Sequence, residues 1–249
     1  MDRYAVLKEK LAKREKVVMA NVMLMTSPLL MDAFAAADCV LLDKEHGVYG
    51  TEELIPLTMR CRALGLPTII RVEDSVYHLI AKAIDLGGDG IMLPRTETVE
   101  QLRTAVDAIN FAPAGRTGYG GWGILRPGET VETCERLLLP QIESPKGLKQ
   151  MPEMIERFGE YIDGFIIGPN DLSIMLGVPK QLDHPSVVEH IQQVFDVCKQ
   201  YGLSCGCYAK DMEHARLYAK MGANIFWVGD DRTYIRKGLG EYVDGIAEL

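Results

Sequence analysis

Five polar residues stand where apolar runs stop: Asp43 after CVLL, Arg71 after PTII, Gln141 and Glu143 in LLLPQIE, and Asp171 in GFIIGPND. The step from Asp43 to Arg71 is 28 residues, and the step from Glu143 to Asp171 is the same. A charge beside an apolar run is costly unless it meets an opposite charge or a ligand. Ionised carboxylates only accept hydrogen bonds. Two of them aimed at one point repel, so either one holds a proton or a cation lies between them. Two oxygen donors with coordination positions left over suit a hard ion such as Mg2+ or Mn2+. The alternative is that each carboxylate caps the helix after it, Glu143 before SPKGLKQM and Asp171 before LSIML. Spacing alone leaves both readings open.

Asp43 and His46 lie three apart in DKEHG. A carboxylate that near can orient an imidazole and raise its basicity, which is how a general base is built. The plainer reading is a solvated loop histidine. His78, His190 and His214 fall within predicted helices, and His184 opens one. Arg71 could stabilise an oxyanion or grip a carboxylate, or close an internal salt bridge to Asp43, Glu45 or Glu73. Gly168 and Pro169 precede a predicted helix turn at 170–172, whose backbone N–H groups would suit a substrate carboxylate. Lys44 follows Asp43 but would point the other way along an extended chain, so no strand-end lysine offers a Schiff base.

Side chains so spaced need a scaffold that repeats about every 30 residues. Candidate strands are 17–23, 39–43, 67–71, 90–93, 137–142, 164–168, 204–208 and 224–228, several of them continuously apolar, as buried parallel strands are. Helical stretches at 28–36, 51–64, 75–86, 98–110, 145–157, 184–201, 211–221 and 233–248 alternate with them. Glycines in LGLP, LGGDG, YGLS and MGAN supply helix stops. Eight such units predict a single α/β domain over 1–249, a (β/α)8 TIM barrel with an N-terminal helix. A dinucleotide-binding open sheet would begin with strand–GxGxxG–helix, which this chain lacks. Two irregular stretches, 111–129 and 170–183, are expected on the catalytic face, and the glycines of GYGG read as loop geometry.

The net charge of −8 argues against a nucleic-acid partner, which needs a basic face. Arg71, Arg95, Arg116 and Arg126 could still line a pocket for an anion. None of the six cysteines forms a CxxC pair, and Cys205 and Cys207 would share one face of a strand as packing residues. Reduced thiols, a charged N-terminus without the apolar core of a signal peptide, and no long apolar span predict a cytoplasmic protein with no membrane partner.

Taken together, DKEHG, IIR, PQIES and IIGPNDLS resemble the HpcH/HpaI family of metal-dependent class II aldolases, over nearly the whole chain. The family acts on 4-hydroxy-2-oxo acids such as 4-hydroxy-2-oxoheptanedioate and 2-keto-3-deoxy sugar acids. The resemblance implies cleavage to pyruvate and an aldehyde through a metal-stabilised enolate. Glu143 and Asp171 would be the ligands of Mg2+ or Mn2+, with Co2+ a further candidate. His46, paired with Asp43, would be the base, and Arg71 would stabilise the enolate. Gln141, Gly168, Pro169 and Arg71 would bind the substrate. It also implies a homohexamer, a trimer of dimers, with the last helix exchanged between neighbours. The sequence departs from the family pattern at Arg95, at Thr117 and in the loop 118–129, where the aldehyde end of the substrate is expected to lie. Related chemistries on the same barrel are oxaloacetate decarboxylation and citrate-lyase-β-like acyl-CoA cleavage; a barrel that binds a 2-oxo acid without turning it over is the non-enzymatic alternative.

Overall fold

The computed structural model describes residues 2–120 and 123–249. Eight strands run in chain order: β1 (Val17–Val22), β2 (Cys39–Asp43), β3 (Thr68–Arg71), β4 (Gly90–Leu93), β5 (Leu137–Pro140), β6 (Gly164–Ile167), β7 (Ser204–Ala209) and β8 (Ile225–Val228). Every pairing is parallel, in the order β5-β4-β3-β2-β1-β8-β7-β6. A parallel bridge between Gln141 and Ile166 closes the ring, with Ile142 N–H donating to Ile166 O at 2.8 Å and Asp163 N–H to Leu138 O at 3.1 Å. The fold is the (β/α)8 barrel expected.

The helices are α1 (Arg3–Ala12), α2 (Thr51–Ala63), α3 (Tyr77–Asp85), α4 (Val99–Ile109), α5 (Pro145–Phe158), α6 (Pro169–Met175), α7 (Pro185–Gln200), α8 (Met212–Met221) and α9 (Asp231–Ala247). Local sequence sets their ends. Thr98 and Gln101 form a reciprocal capping box on α4, Ser144 Oγ accepts from Gly147 N–H to cap α5, and Asp230 caps α9. Gly222 ends α8 at φ 112°, which a side chain would resist. Two expectations need correction. The stretch after β1 is a 3-10 helix, Pro28–Phe34, shorter than the helix expected there. The region after β6, expected to be irregular beyond a helix turn at 170–172, opens with the longer α6, whose seven residues are too few for periodicity to reveal.

Two cores hold the barrel. Inside, Val17, Met19, Leu41, Ile69, Met92 and Ile166 pack together, and Tyr4, Leu7 and Leu11 of α1 join them, plugging the base. Outside, strand residues such as Val40, Ile70, Phe165 and Cys207 meet the helices. Cys205 and Cys207 are both buried in this outer layer, as packing residues would be.

The 111–129 stretch is a larger correction. It leads from α4 into β5, so it lies at the base of the barrel and not on the catalytic face. There Arg126 pairs with Glu129 and stacks on Tyr4, while Arg62 and Arg136 donate to the backbone oxygens of Gly123 and Ile124. Arg116 lies on the side, paired with Asp107 and stacked on Tyr77. Gly121 and Trp122 lie outside the described residues, and with them part of GYGG. Among the described residues, no helix is long and apolar enough to cross a membrane.

Candidate active site

The C-terminal ends of parallel strands are where a barrel gathers its chemistry. Asp43 and Arg71 are register partners at the ends of β2 and β3. Their side chains are 0% and 4% exposed. Arg71 Nε donates to Asp43 Oδ1 at 2.9 Å and Nη2 donates to Oδ2, a two-pronged pair. Arg71 Nη1 also lies 3.2 Å from Glu45 Oε2. The internal salt bridge weighed for Arg71 is therefore present, with Asp43 and Glu45 but not Glu73, which pairs with Lys44 at 2.6 Å. The pair leaves Arg71 lining the cleft at the barrel mouth, its guanidinium 4.9 Å from the ring centre of Trp227.

The expected pairing of Asp43 with the His46 imidazole is not what the geometry shows. Asp43 Oδ1 accepts from the backbone N–H of Glu45 at 3.0 Å and of His46 at 3.2 Å. The Asp43 side chain is thus engaged with Arg71 and with its own turn. The carboxylate nearest the imidazole is Glu45, with Oε2 3.8 Å from His46 Nε2. His46 is exposed and lines the cleft. Glu45 is the functional neighbour that sequence reading undervalued. It lies between Arg71, His46 and Arg95, whose Nε is 3.3 Å from Oε1, and burial pushes its carboxyl up. Its signal was its place in the same turn as two candidate groups.

Glu143 follows β5 and is 4% exposed. Ser144 caps α5, so Glu143 is not its cap. Its Oε1 accepts from Arg95 N–H at 3.2 Å, and its Oε2 accepts from Gln141 Nε2 at 2.8 Å. Burial pushes its carboxyl up to about 8, with the negative charges of Asp171 and Glu45 adding to the effect. Asp171 stands in the first turn of α6, whose N-cap is Gly168 without a side-chain cap. Glu143 and Asp171 line one recess of about 370 Å3, and Asp171 also borders the main cleft of about 430 Å3. Gly168 and Pro169 line that cleft as well. A Cβ on Gly168 would run into the Glu143 carboxylate and the Gln141 amide, so any larger residue there would push both side chains from their places.

These residues fit a bound cation. Burial, and after it the charges of Asp171 and Glu45, push the Glu143 carboxyl up, and the buried Gln141 Oε1 has no hydrogen-bond partner. A cation would relieve both. Among the described residues, no three His, Cys, Asp or Glu side chains converge as a metal site; two carboxylates alone would fill only part of a six-coordinate shell. The larger cavity, about 670 Å3, is at the base of the barrel among the ion pairs of Arg126 and Glu129. It holds none of the strand-end groups.

Sequence reading also missed Asn21, Tyr208, Trp227 and Arg232, which complete the cleft. Asn21 is a polar residue on the inward face of an apolar strand, and that alternation was the available signal.

A family model described as HpcH/HpaI aldolase/citrate lyase matches residues 23–237. A 2-keto-3-deoxy-L-rhamnonate aldolase of Klebsiella pneumoniae subsp. pneumoniae is 31% identical over 214 residues, covering 83% of this chain and 79% of its own. A 5-keto-4-deoxy-D-glucarate aldolase of Salmonella arizonae is 27% identical over 228 residues, 88% of each chain. The crystal structure of an HpcH/HpaI aldolase/citrate lyase family protein from Burkholderia cenocepacia superposes with a TM-score of 0.89 over 97% of this chain and 99% of that one; at 23% identity it speaks to the fold alone. The chain belongs to the HpcH/HpaI aldolase/citrate lyase family and is a carbon–carbon lyase.

Proposed function

We propose that this lyase cleaves a 4-hydroxy-2-oxo acid to pyruvate and an aldehyde, using a divalent cation held by Glu143 and Asp171. The observation that carries this reading is the buried Glu143, raised to about 8 beside Asp171, in a recess adjoining the cleft that Arg71 and His46 line. All-oxygen donors favour Mg2+ or Mn2+. When bound, the ion supplies Lewis acidity toward the carboxylate and 2-oxo oxygen of the substrate.

The chain's own groups supply the rest. His46 takes the proton of the C4 hydroxyl, the C3–C4 bond breaks, and its electron pair passes to the C2–C3 enolate as the aldehyde leaves. Arg71, held by Asp43 and Glu45, directs positive potential to the oxygen where that charge grows. Gln141 keeps Glu143 oriented, and Gly168 and Pro169 shape the wall against which the pyruvate moiety lies. A proton returned to C3 completes pyruvate. Lys44 is engaged with Glu73 and takes no part. The names of the sugar-acid aldolase relatives favour an acid-sugar-derived substrate.

The assembly we propose is a homohexamer, a trimer of dimers. In α9 only Asp231 is buried, while Ile235, Leu239, Tyr242, Val243 and Ile246 are exposed on one helix. A helix so apolar on its outer side calls for a neighbouring copy to cover it. Six unpaired thiols, most of them buried, support a cytoplasmic location.

Chelation tests the central assignment. EDTA should abolish pyruvate release, and Mn2+ or Mg2+ should restore it. Full activity after the metal is stripped would refute the reading. Release of CO2 from oxaloacetate without any aldehyde product would favour the decarboxylase.

A further inference from the structure

Among the described residues, Arg14, Arg95 and Lys180 are the non-glycine residues with a positive φ. Arg14 lies just past the end of α1, where such a turn is an ordinary helix stop, and Lys180 lies in the loop after α6. Arg95 is different. It follows β4 at φ 45° and lines the recess that holds Glu143 and Asp171.

Two ties to one residue frame that conformation. Gln141 N–H donates to Leu93 O at 2.9 Å, and Thr96 N–H donates to Gln141 O at 2.9 Å. Pro94 and Arg95 alone close the turn between those ties. The proline ring confines its own φ to negative values, so the left-handed step falls on Arg95. Glycine would take that step freely, whereas an arginine is strained by it. Such an outlier persists only where its surroundings hold it.

Both ends of the residue are held, and both holds reach the site. The Arg95 N–H donates to Glu143 Oε1 at 3.2 Å, while Gln141 Nε2 donates to Oε2 at 2.8 Å. Each oxygen of that buried carboxyl is thereby oriented. The Arg95 guanidinium has Nε 3.3 Å from Glu45 Oε1, and its Nη2 donates to Glu73 O at 3.0 Å. Arg71 Nη1 takes the other Glu45 oxygen at 3.2 Å. Glu45 is therefore held at both oxygens, one by each arginine, next to His46. We propose that Arg95 is a positioning residue that joins the two halves of the site: its left-handed main chain fixes Glu143 for the cation, and its guanidinium fixes Glu45 beside Arg71 and His46. The inference deepens the aldolase reading and rests on it.

The test separates main chain from side chain with three substitutions. Arg95→Gly, Arg95→Ala and Arg95→Val all remove the guanidinium, but they differ in their tolerance of a positive φ. Glycine adopts it freely, alanine resists it, and a β-branched residue almost never takes it. In calorimetric titrations with Mn2+, Arg95→Gly should bind within about twofold of the wild type, Arg95→Ala more weakly, and Arg95→Val about tenfold more weakly, as when a hydrogen bond to a charged group is given up. Affinities that do not fall in that order, or that are equal in all three, overturn the main-chain role. In pyruvate release Arg95→Gly should lower kcat by about tenfold with KM little changed, because Glu45 loses one of its two holds. A wild-type kcat, or a rise in KM alone, which would make Arg95 a substrate contact, overturns the side-chain role. Failure of the underlying reading shows separately. A wild type that binds no Mn2+ removes the cation assignment, whereas hydrogen exchange of the residue-95 amide in cation-free protein reports on the brace alone. Its protection by NMR should be similar in the wild type and Arg95→Gly and at least about tenfold lower in Arg95→Val; equal protection in all would overturn the brace whether or not the cation binds.

Discussion

Replacing Asp43 by Asn separates two roles for this carboxylate, holding Arg71 or orienting His46. The side chain is fully buried and receives two prongs of Arg71 together with the backbone N–H groups of Glu45 and His46. Breaking a buried ion pair from one side typically costs about 3–5 kcal/mol, because the other charge is left uncompensated. Asn retains an oxygen for the turn, and Glu45 remains 3.2 Å from Arg71, so the low end, about 3 kcal/mol, is the appropriate figure. For a domain of this size each kcal/mol moves the melting temperature by about 2–4 °C, giving a fall of about 6–12 °C. Turnover should fall together with it by about 100-fold, as when one oxyanion donor is lost. Thermal melts monitored by circular dichroism at fixed scan rate, alongside pyruvate release, measure both. A melting temperature within 2 °C of the wild type, with only the activity changed, would refute the structural role and restore the His46 pairing.

The remaining predictions address the base, the buried acid and the last helix. His46→Ala should lower kcat by about 100-fold while cation affinity, read by titration calorimetry, stays within about twofold; a wild-type rate would move the base elsewhere. In cation-free buffer Glu143 binds a proton in the fold up to about pH 8 but only up to about its ordinary value of 4.5 when unfolded. Its contribution to stability is therefore fully present below the unfolded value and is lost as pH rises through the folded one. Glu143→Gln removes this dependence, so its melting temperature relative to the wild type should climb from pH 5 to 8; a constant difference would contradict the buried-acid assignment. Leu239→Glu on α9 should shift the sedimentation profile toward smaller species, and an unchanged profile would place the subunit contacts elsewhere.

How far the fold could be read from sequence depended on element length. β2 and β4 match their expected limits, because a short continuous run of apolar residues between turns leaves little choice. α6 was expected only as a turn at 170–172, because seven residues behind a proline show no period that would reveal its length. The 111–129 stretch was placed on the wrong end because glycine and proline content marks a loop without saying which face it serves; only its order, after a helix and before a strand, decides that. At the site, the strand-end positions of Arg71, Glu143 and Asp171 were legible from spacing. Arg71 was weighed as a partner of Asp43, but the choice between Arg71 and the His46 imidazole was not legible. Three residues along a loop and one strand across are both close, and side-chain direction chose the strand. Asn21 and Trp227 escaped notice because they sit within apolar strands, and only the pairing of β1 with β8 brings them to the cleft.

The most direct measurement is anomalous diffraction from crystals soaked with Mn2+ and pyruvate. The account predicts a manganese peak in coordination contact with a carboxylate oxygen of Glu143 and one of Asp171, with pyruvate on the remaining positions. A peak elsewhere, or none beside these two side chains in crystals of active protein, would contradict it.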